Sequence, residues 1–180
     1  MKKILGLAGE ISSGKGTTAK YICEKHSGST YRFSTMLRDL LGRVYLPESR
    51  ENMQKMSTIM RENFFDDILS SVIAKDVEKD QHQIIAIDGV RRLADISYLK
   101  KIPGFRLVYI EADMEKRYER IVGRGENTDD TTKTFEEFKK DHEREAERQI
   151  KDLKNHAEYV IDNNGSLEEL YRQIDEIIKK

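Results

Sequence analysis

The chain has 180 residues, with 37% hydrophobic and 36% charged positions and a formal net charge of −1. That length suits one domain of ordinary α/β size, and the near-neutral balance gives no global electrostatic case for a nucleic-acid partner. Cys23 is the single cysteine, so no internal disulfide forms, and His26, His82, His142 and His156 stand at no metal-ligand spacing that would build a zinc site.

The first apolar stretch is too short for a signal peptide and runs into Glu10, so it reads as a strand. No apolar run approaches the ~20 residues of a membrane span. The expectation is a cytoplasmic protein with no membrane partner, monomeric or homodimeric. Residues 3–8 suit a buried parallel strand ending at Gly9. A helix is predicted from Lys15 to His26, with Ala19, Ile22 and Cys23 facing inward, and a second strand from Ser29 to Phe33. Met36 to Tyr45 reads as helix, stopped by Pro47. From Ser49 to Lys79 the apolar positions Met53, Met56, Met60, Phe64, Ile68, Val72 and Ile73 predict one long helical stretch.

Residues 84–87 form a further buried strand, ended by Asp88-Gly89. A short helix is predicted over Leu93–Lys100, a strand over Arg106–Glu111, and a helix over Met114–Val122. Residues 123–133 are polar and lack periodicity, which reads as a loop. Thr134 with Glu137, and Ser166 with Glu169, fit capping boxes that open a long charged helix and the last helix. Ala157–Ile161 is the fifth strand, followed by an Asn163-Asn164-Gly165 turn. Strands alternating with helices predict a three-layer α/β sandwich: a five-stranded parallel sheet with helices on both faces, in one domain spanning 1–180.

Gly9-x4-Gly14-Lys15, between a predicted strand and a predicted helix, carries the chemistry. Glycines let successive backbone N–H groups of residues 9–18 curl around a phosphate, with Ser12, Ser13, Gly16 and Thr18 in the same segment. Lys15 adds a point charge for the β- and γ-phosphates, and the following helix adds its N-terminal dipole. Gly16 stands where a metal-binding Ser or Thr is common, with Thr17 and Thr18 next. Asp88, at the end of a strand beside this loop, can orient Mg²⁺ or its waters.

Gly14-Lys-Gly-Thr17 resembles the loop of nucleoside monophosphate kinases of the adenylate kinase type. The resemblance implies the P-loop kinase fold, ATP and Mg²⁺ as cofactors, Thr17 as a nucleotide ligand, and metal held by Thr17 and Asp88 largely through water. Phe33-Ser-Thr-Met-Leu-Arg38 resembles the Ser-Thr-Gly-Asp-x-Leu-Arg segment of that family with two residues fewer, which implies that Ser34 and Arg38 meet the acceptor phosphate. Asp88-Gly-Val-Arg-Arg92 resembles its Asp-Gly-x-Pro-Arg segment without the proline. A shorter Asp-Gly-x-Arg form selects Arg91, and Arg92 stands as the other choice. Arg61 is a further acceptor candidate, within a helical acceptor-binding region of about 35–80.

Arg117, Arg120 and Arg124 follow at helical spacing. The family places lid arginines here, which implies a short lid of about 117–133, with Arg120 and Arg124 closing over the transferring phosphoryl group. Asp129 and Asp130 either brace that lid or simply face solvent. Residues 157–170 resemble the last strand and turn of the superfamily, which implies that Asn164 and Gly165 pack beside the adenine. Three activities stay open: a (deoxy)nucleoside monophosphate kinase, a dephospho-CoA-kinase-like enzyme acting on an alcohol, and a nucleotide-gated ATPase acting as a regulator or assembly factor.

Overall fold

The computed structural model describes residues 2–124, 134–141 and 145–180. Five parallel strands form one sheet: β1 (Lys3–Ala8), β2 (Ser29–Arg32), β3 (Ile84–Val90), β4 (Phe105–Glu111) and β5 (Tyr159–Asp162), in the order β2-β3-β1-β4-β5. The strands read as near-continuous apolar runs because both faces are covered. Ile4, Ile85, Ile87, Leu107 and Tyr109 point to one face. There they meet α2 (Phe33–Arg43), α3 (Arg50–Asn63), α4 (Ile68–Lys79) and α7 (Glu145–Leu153). Leu5, Leu7, Ala86, Val108, Ile110 and Ile161 point to the other, under α1 (Lys15–His26) and α8 (Leu167–Lys179). The three-layer α/β sandwich read from the sequence is the fold found.

Central strand β1 lies between β3 and β4, so the chain switches from one side of the sheet to the other across it. The crevice at the carboxyl ends of strands around such a switch is where open α/β sheets bind ligands. The loop after β1 opens into that crevice.

Several predicted boundaries move. The long stretch from Ser49 to Lys79 is two helices, broken between Asn63 and Ile68. The break turns Phe64 and Phe65 out to solvent, and Arg61 reaches across it to donate to the Asp66 carbonyl. Met53, Met56 and Met60 of α3 and Leu69, Ile73 and Val77 of α4 still reach the same core. Helical spacing therefore persists through a break that packing, not periodicity, decides. The helix predicted over 93–100 is a pair of 3-10 turns, Leu93–Ile96 and Leu99–Lys101. β3 runs on through Asp88 and Gly89, with a register shift where Leu7 pairs with Asp88 and Ala8 with Val90. α2 begins at Phe33, three residues before the prediction, and β5 begins two residues later than predicted.

Both capping boxes form. Thr134 N–H donates to Glu137 Oε2 at 2.8 Å, and Ser166 N–H donates to Glu169 Oε2 at 2.8 Å. The first opens α6 (Phe135–Asp141), and residues 142–144 of the long charged helix lie outside the described residues. α6 packs on α5 (Met114–Arg124): Phe138 is fully buried, with its ring near Tyr118 and the Arg117 guanidinium. Among the described residues no helix is long and apolar enough to cross a membrane.

Candidate active site

The loop from Gly9 to Gly14 is shaped by backbone that a side chain would obstruct. Gly9 and Gly14 have φ of 145° and 113°. A Cβ on Gly9 would stand 2.2 Å from the Ile110 carbonyl oxygen, and one on Gly14 would stand 2.2 Å from Asn163 Nδ2. Only glycine fits both the conformation and the space. The Lys15 ammonium folds back and donates to the carbonyls of Gly9 at 2.7 Å and Glu10 at 2.8 Å, holding the curl. α1 starts at Lys15, so its N-terminal amides and dipole face the same hollow.

Three hydroxyl oxygens here, Ser12 Oγ, Ser13 Oγ and Thr18 Oγ1, are buried without a hydrogen-bond partner among the described residues. Buried polar atoms are normally paired. A concave loop of amides, one lysine and orphaned hydroxyls fits a nucleotide's phosphates and an associated Mg²⁺. Thr17, by contrast, is exposed.

Two neighbours hold the loop. Asn163 is buried, and its Nδ2 donates to the Ser13 carbonyl at 2.7 Å. Its own carbonyl accepts from Arg120 Nη2 at 2.8 Å, which brings Arg120 beside the phosphate loop. Arg117 is also buried. Its guanidinium donates to the carbonyls of Ala112 at 2.9 Å and Ile11 at 3.3 Å and meets Glu10 Oε2 at 3.1 Å. Arg117 thus fastens the outer arm of the loop to the start of α5. The Arg124 side chain, Asp129, Asp130 and residues 125–133 of the predicted lid lie outside the described residues.

Asp88 projects from β3 next to β2, where Arg32 stands opposite it in register. Arg32 Nε and Nη2 both reach Asp88 Oδ2, at 2.9 and 2.7 Å. A Cβ on Gly16 would be 3.6 Å from Arg32 Nη2, so this guanidinium lies against the first turn of α1. Gly16, Arg32, Thr35, Met36, Asp39 and Asp88 line a cleft of 680 Å³ along the edge strand. Tyr31 also lines it. Burial, then its hydrogen bond to Asp80 and that group's charge, push the Tyr31 phenol up to about 12, so it stays a neutral hydroxyl near pH 7.

The predicted acceptor residues are divided. Ser34 and Arg38 lie on another side of α2 from the cleft-lining Thr35 and Asp39, with Arg38 Nη1 donating to Ser34 Oγ at 3.0 Å and Nε 3.8 Å from Glu48. The Arg61 guanidinium is buried and meets Asp95 at 2.6 Å. Asp95 also accepts the Arg91 and Arg92 backbone N–H groups at 2.9 and 3.0 Å. Arg61 therefore braces the turn that carries both arginines, and the Arg91 side chain extends to solvent. Asn164 closes the β5–α8 turn, its Oδ1 accepting from Asp113 N–H at 2.8 Å, and it lines a separate hollow of 440 Å³ with Glu10, Tyr109, Asp113 and Lys151. Gly165 sits against Glu169 in the capping box of α8.

Sequence reasoning missed Arg32, Asn163 and the Glu10–Arg117 pair. Asn163 reads as an ordinary turn residue, and Arg32 as the polar end of a strand. The alignment of Arg32 with Asp88 needed the strand order, which sequence pattern does not state.

The family description "AAA domain" matches residues 5–151. The chain is 29% identical over 180 residues to a UPF0200 protein of Sulfurisphaera tokodaii, covering 99% of this chain and 97% of that one. A shikimate kinase from Bacteroides thetaiotaomicron superposes with a TM-score of 0.65 at 9% identity, over 98% of this chain and 97% of that one. TT1252 from Thermus thermophilus superposes with a TM-score of 0.63 at 15% identity, over 99% and 97%. Such low identities carry fold alone. With its Gly9–Lys15 loop, the chain belongs to this AAA-domain family of P-loop NTPases and has the fold of the small P-loop kinases.

Proposed function

We propose that the protein is an ATP-dependent phosphotransferase that moves the γ-phosphoryl group to a small phosphorylated acceptor, most simply a (deoxy)nucleoside monophosphate. One observation carries this reading. The phosphate cradle, with its orphaned hydroxyls, meets the edge-strand cleft at Gly16, where Arg32 and Asp88 stand.

In this reading Lys15 and the loop amides hold the β- and γ-phosphates, and Thr17 and Thr18 complete the nucleotide contacts. Mg²⁺, oriented by Asp88 through water, would supply charge neutralisation at the transferring group. Arg120, with Arg124, stabilises that group's charge on the lid side, and Asn164 and Gly165 border the adenine. Arg38 and Arg91 or Arg92 converge on the acceptor phosphate when the helices at 35–80 close. A phosphate acceptor is already ionised and needs no general base, so positioning and electrostatics suffice. The protein would act in the cytoplasm.

A second reading, transfer to an alcohol as in dephospho-CoA kinases, draws on Asp39, which lines the cleft and could take the proton. Asp88 serves that role less well, because Arg32 holds one of its oxygens at 2.7 Å. ADP release measured with ribo- and deoxyribonucleoside monophosphates and dephospho-CoA separates the readings. One monophosphate should raise the rate roughly tenfold or more, since positioning the acceptor supplies much of the catalysis. Lys15→Ala should lose that rate. Turnover indifferent to every acceptor would sink the kinase reading.

A further inference from the structure

The Arg32–Asp88 pair has no counterpart among the motifs that the sequence carries. Of the ionised side chains that line the edge-strand cleft, the carboxylates are Glu24, Asp39, Asp76 and Asp88, and the cations are Lys20 and Arg32. Lys20 stands 3.7 Å from Glu24, with both side chains mostly exposed. Arg32 is the cation beside Gly16, and its Nε–H and an Nη2–H both reach the same oxygen of Asp88. Four carboxylates against two cations leave the cleft net negative, so it repels an anion unless a guanidinium faces into it. Asp88 is the more buried partner, with a side chain 10% exposed against 44% for Arg32. Arg32 can therefore swing into the cleft at little desolvation cost, whereas Asp88 stays fixed on β3.

We propose that Arg32 is a specificity-determining residue that grips the anionic group of the acceptor, and that it is released for this from Asp88 when the phosphate loop fills with Mg²⁺ and nucleotide. The inference rests on the phosphotransferase reading. Asp88 would hold Mg²⁺ through water, and that charge would weaken the carboxylate's hold on the guanidinium. Arg32, freed beside Gly16 at the first turn of α1, then converts the cleft from anion-repelling to anion-binding. Acceptor binding and nucleotide binding become coupled, and the coupling is reciprocal. An arginine at the end of β2 supplies charge rather than a base, which suits an acceptor that is already an anion.

The test follows the Arg32 Nε–H signal by nitrogen-15 NMR in the full chain, assigned by its loss in Arg32→Lys. The probes are Mg²⁺ with a non-hydrolysable ATP analogue, and then inorganic phosphate. The signal should shift when the Mg²⁺–analogue complex is added, and shift again with phosphate. Followed at the Arg32 Nε–H signal, so that phosphate taken up by the empty phosphate loop is not counted, phosphate should bind about tenfold more tightly with the analogue present than without it, a normal size for such coupling. Asp88→Asn should tighten phosphate binding in the nucleotide-free protein and reduce the coupling. Arg32→Ala should weaken phosphate binding to the loaded protein by about tenfold or more, the loss of a charge-assisted hydrogen bond.

An Arg32 signal that ignores the Mg²⁺–analogue complex would overturn the inference, as would phosphate affinity unchanged in Arg32→Ala. The wild-type signal decides the matter even if Asp88→Asn does not fold. Because phosphate is the probe, these outcomes are independent of which acceptor stimulates ADP release, so the inference and the kinase reading fail separately.

Discussion

The turn after β3 and the edge-strand cleft each carry an arginine–aspartate pair, in opposite settings. Arg61 and Asp95 meet at 2.6 Å with side chains 9% and 5% exposed, and Asp95 also ties down the backbone of Arg91 and Arg92. Arg32 and Asp88 meet at 2.7 Å, but the arginine opens onto a cleft. A buried pair cannot exchange partners without leaving a charge uncompensated. An open pair can, because water or a ligand takes up the released cation. The first pair is scaffold, and the second is placed to act.

The largest effect should separate them. Asp95→Ala leaves the Arg61 guanidinium buried and two backbone N–H groups without an acceptor, so urea denaturation should show a loss of about 3–5 kcal/mol. A loss below ~1 kcal/mol would put this pair in the same class as the open one. Asn163→Ala tests the scaffold of the phosphate loop. It removes the donor to the Ser13 carbonyl and should cost about 1–3 kcal/mol. ATP affinity, measured by calorimetry, should fall with it.

Asp80, at the α4–β3 junction, gives a third contrast through pH. Burial alone would raise its pKa, but hydrogen bonds from Ser29, the His82 backbone and ring, and Tyr31 outweigh that and hold it well below its ordinary value of 3.8. A carboxylate with a depressed folded pKa contributes stability that is fully present above its unfolded pKa and lost as pH falls through the folded one. Asp80→Asn should therefore cost about 1–3 kcal/mol near pH 7. The gap from wild type should close as pH drops below about 4. A gap that is constant down to pH 2 would mean that the ionised carboxylate is not the stabilising form. Smallest of all, Arg32→Ala should cost about 1 kcal/mol, because the cleft admits water to the Asp88 carboxylate that loses its partner. Its consequence belongs to ligand binding.

The phosphate loop was legible from sequence because backbone geometry builds it, and backbone geometry demands glycines at fixed spacing. Gly9, Gly14 and Lys15 could be read without knowing any distant contact. The sheet was legible for a similar reason, since strands covered on both faces must be apolar throughout. The proposed acceptor side is different. It is assembled from single side chains on helices and an edge strand, so their convergence depends on strand order and helix breaks. Arg61 has a helical spacing that suits a substrate ligand, and only the fold shows its guanidinium against Asp95. Arg32 stands outside every recognisable motif, and only the pairing of β2 with β3 sets it opposite Asp88. The break after Asn63 escaped because apolar residues kept their helical period across it.

If the phosphate loop and the cleft beside Gly16 serve one transfer reaction, the fate of the γ-phosphoryl group shows it. The direct measurement uses ATP labelled on its γ-phosphoryl group, incubated with Mg²⁺, the protein and each nucleoside monophosphate, with the products separated. The label should appear in a nucleoside diphosphate at the same rate as ADP forms. Label recovered only as inorganic phosphate, whatever acceptor is present, would contradict the account and assign the loop to nucleotide hydrolysis alone.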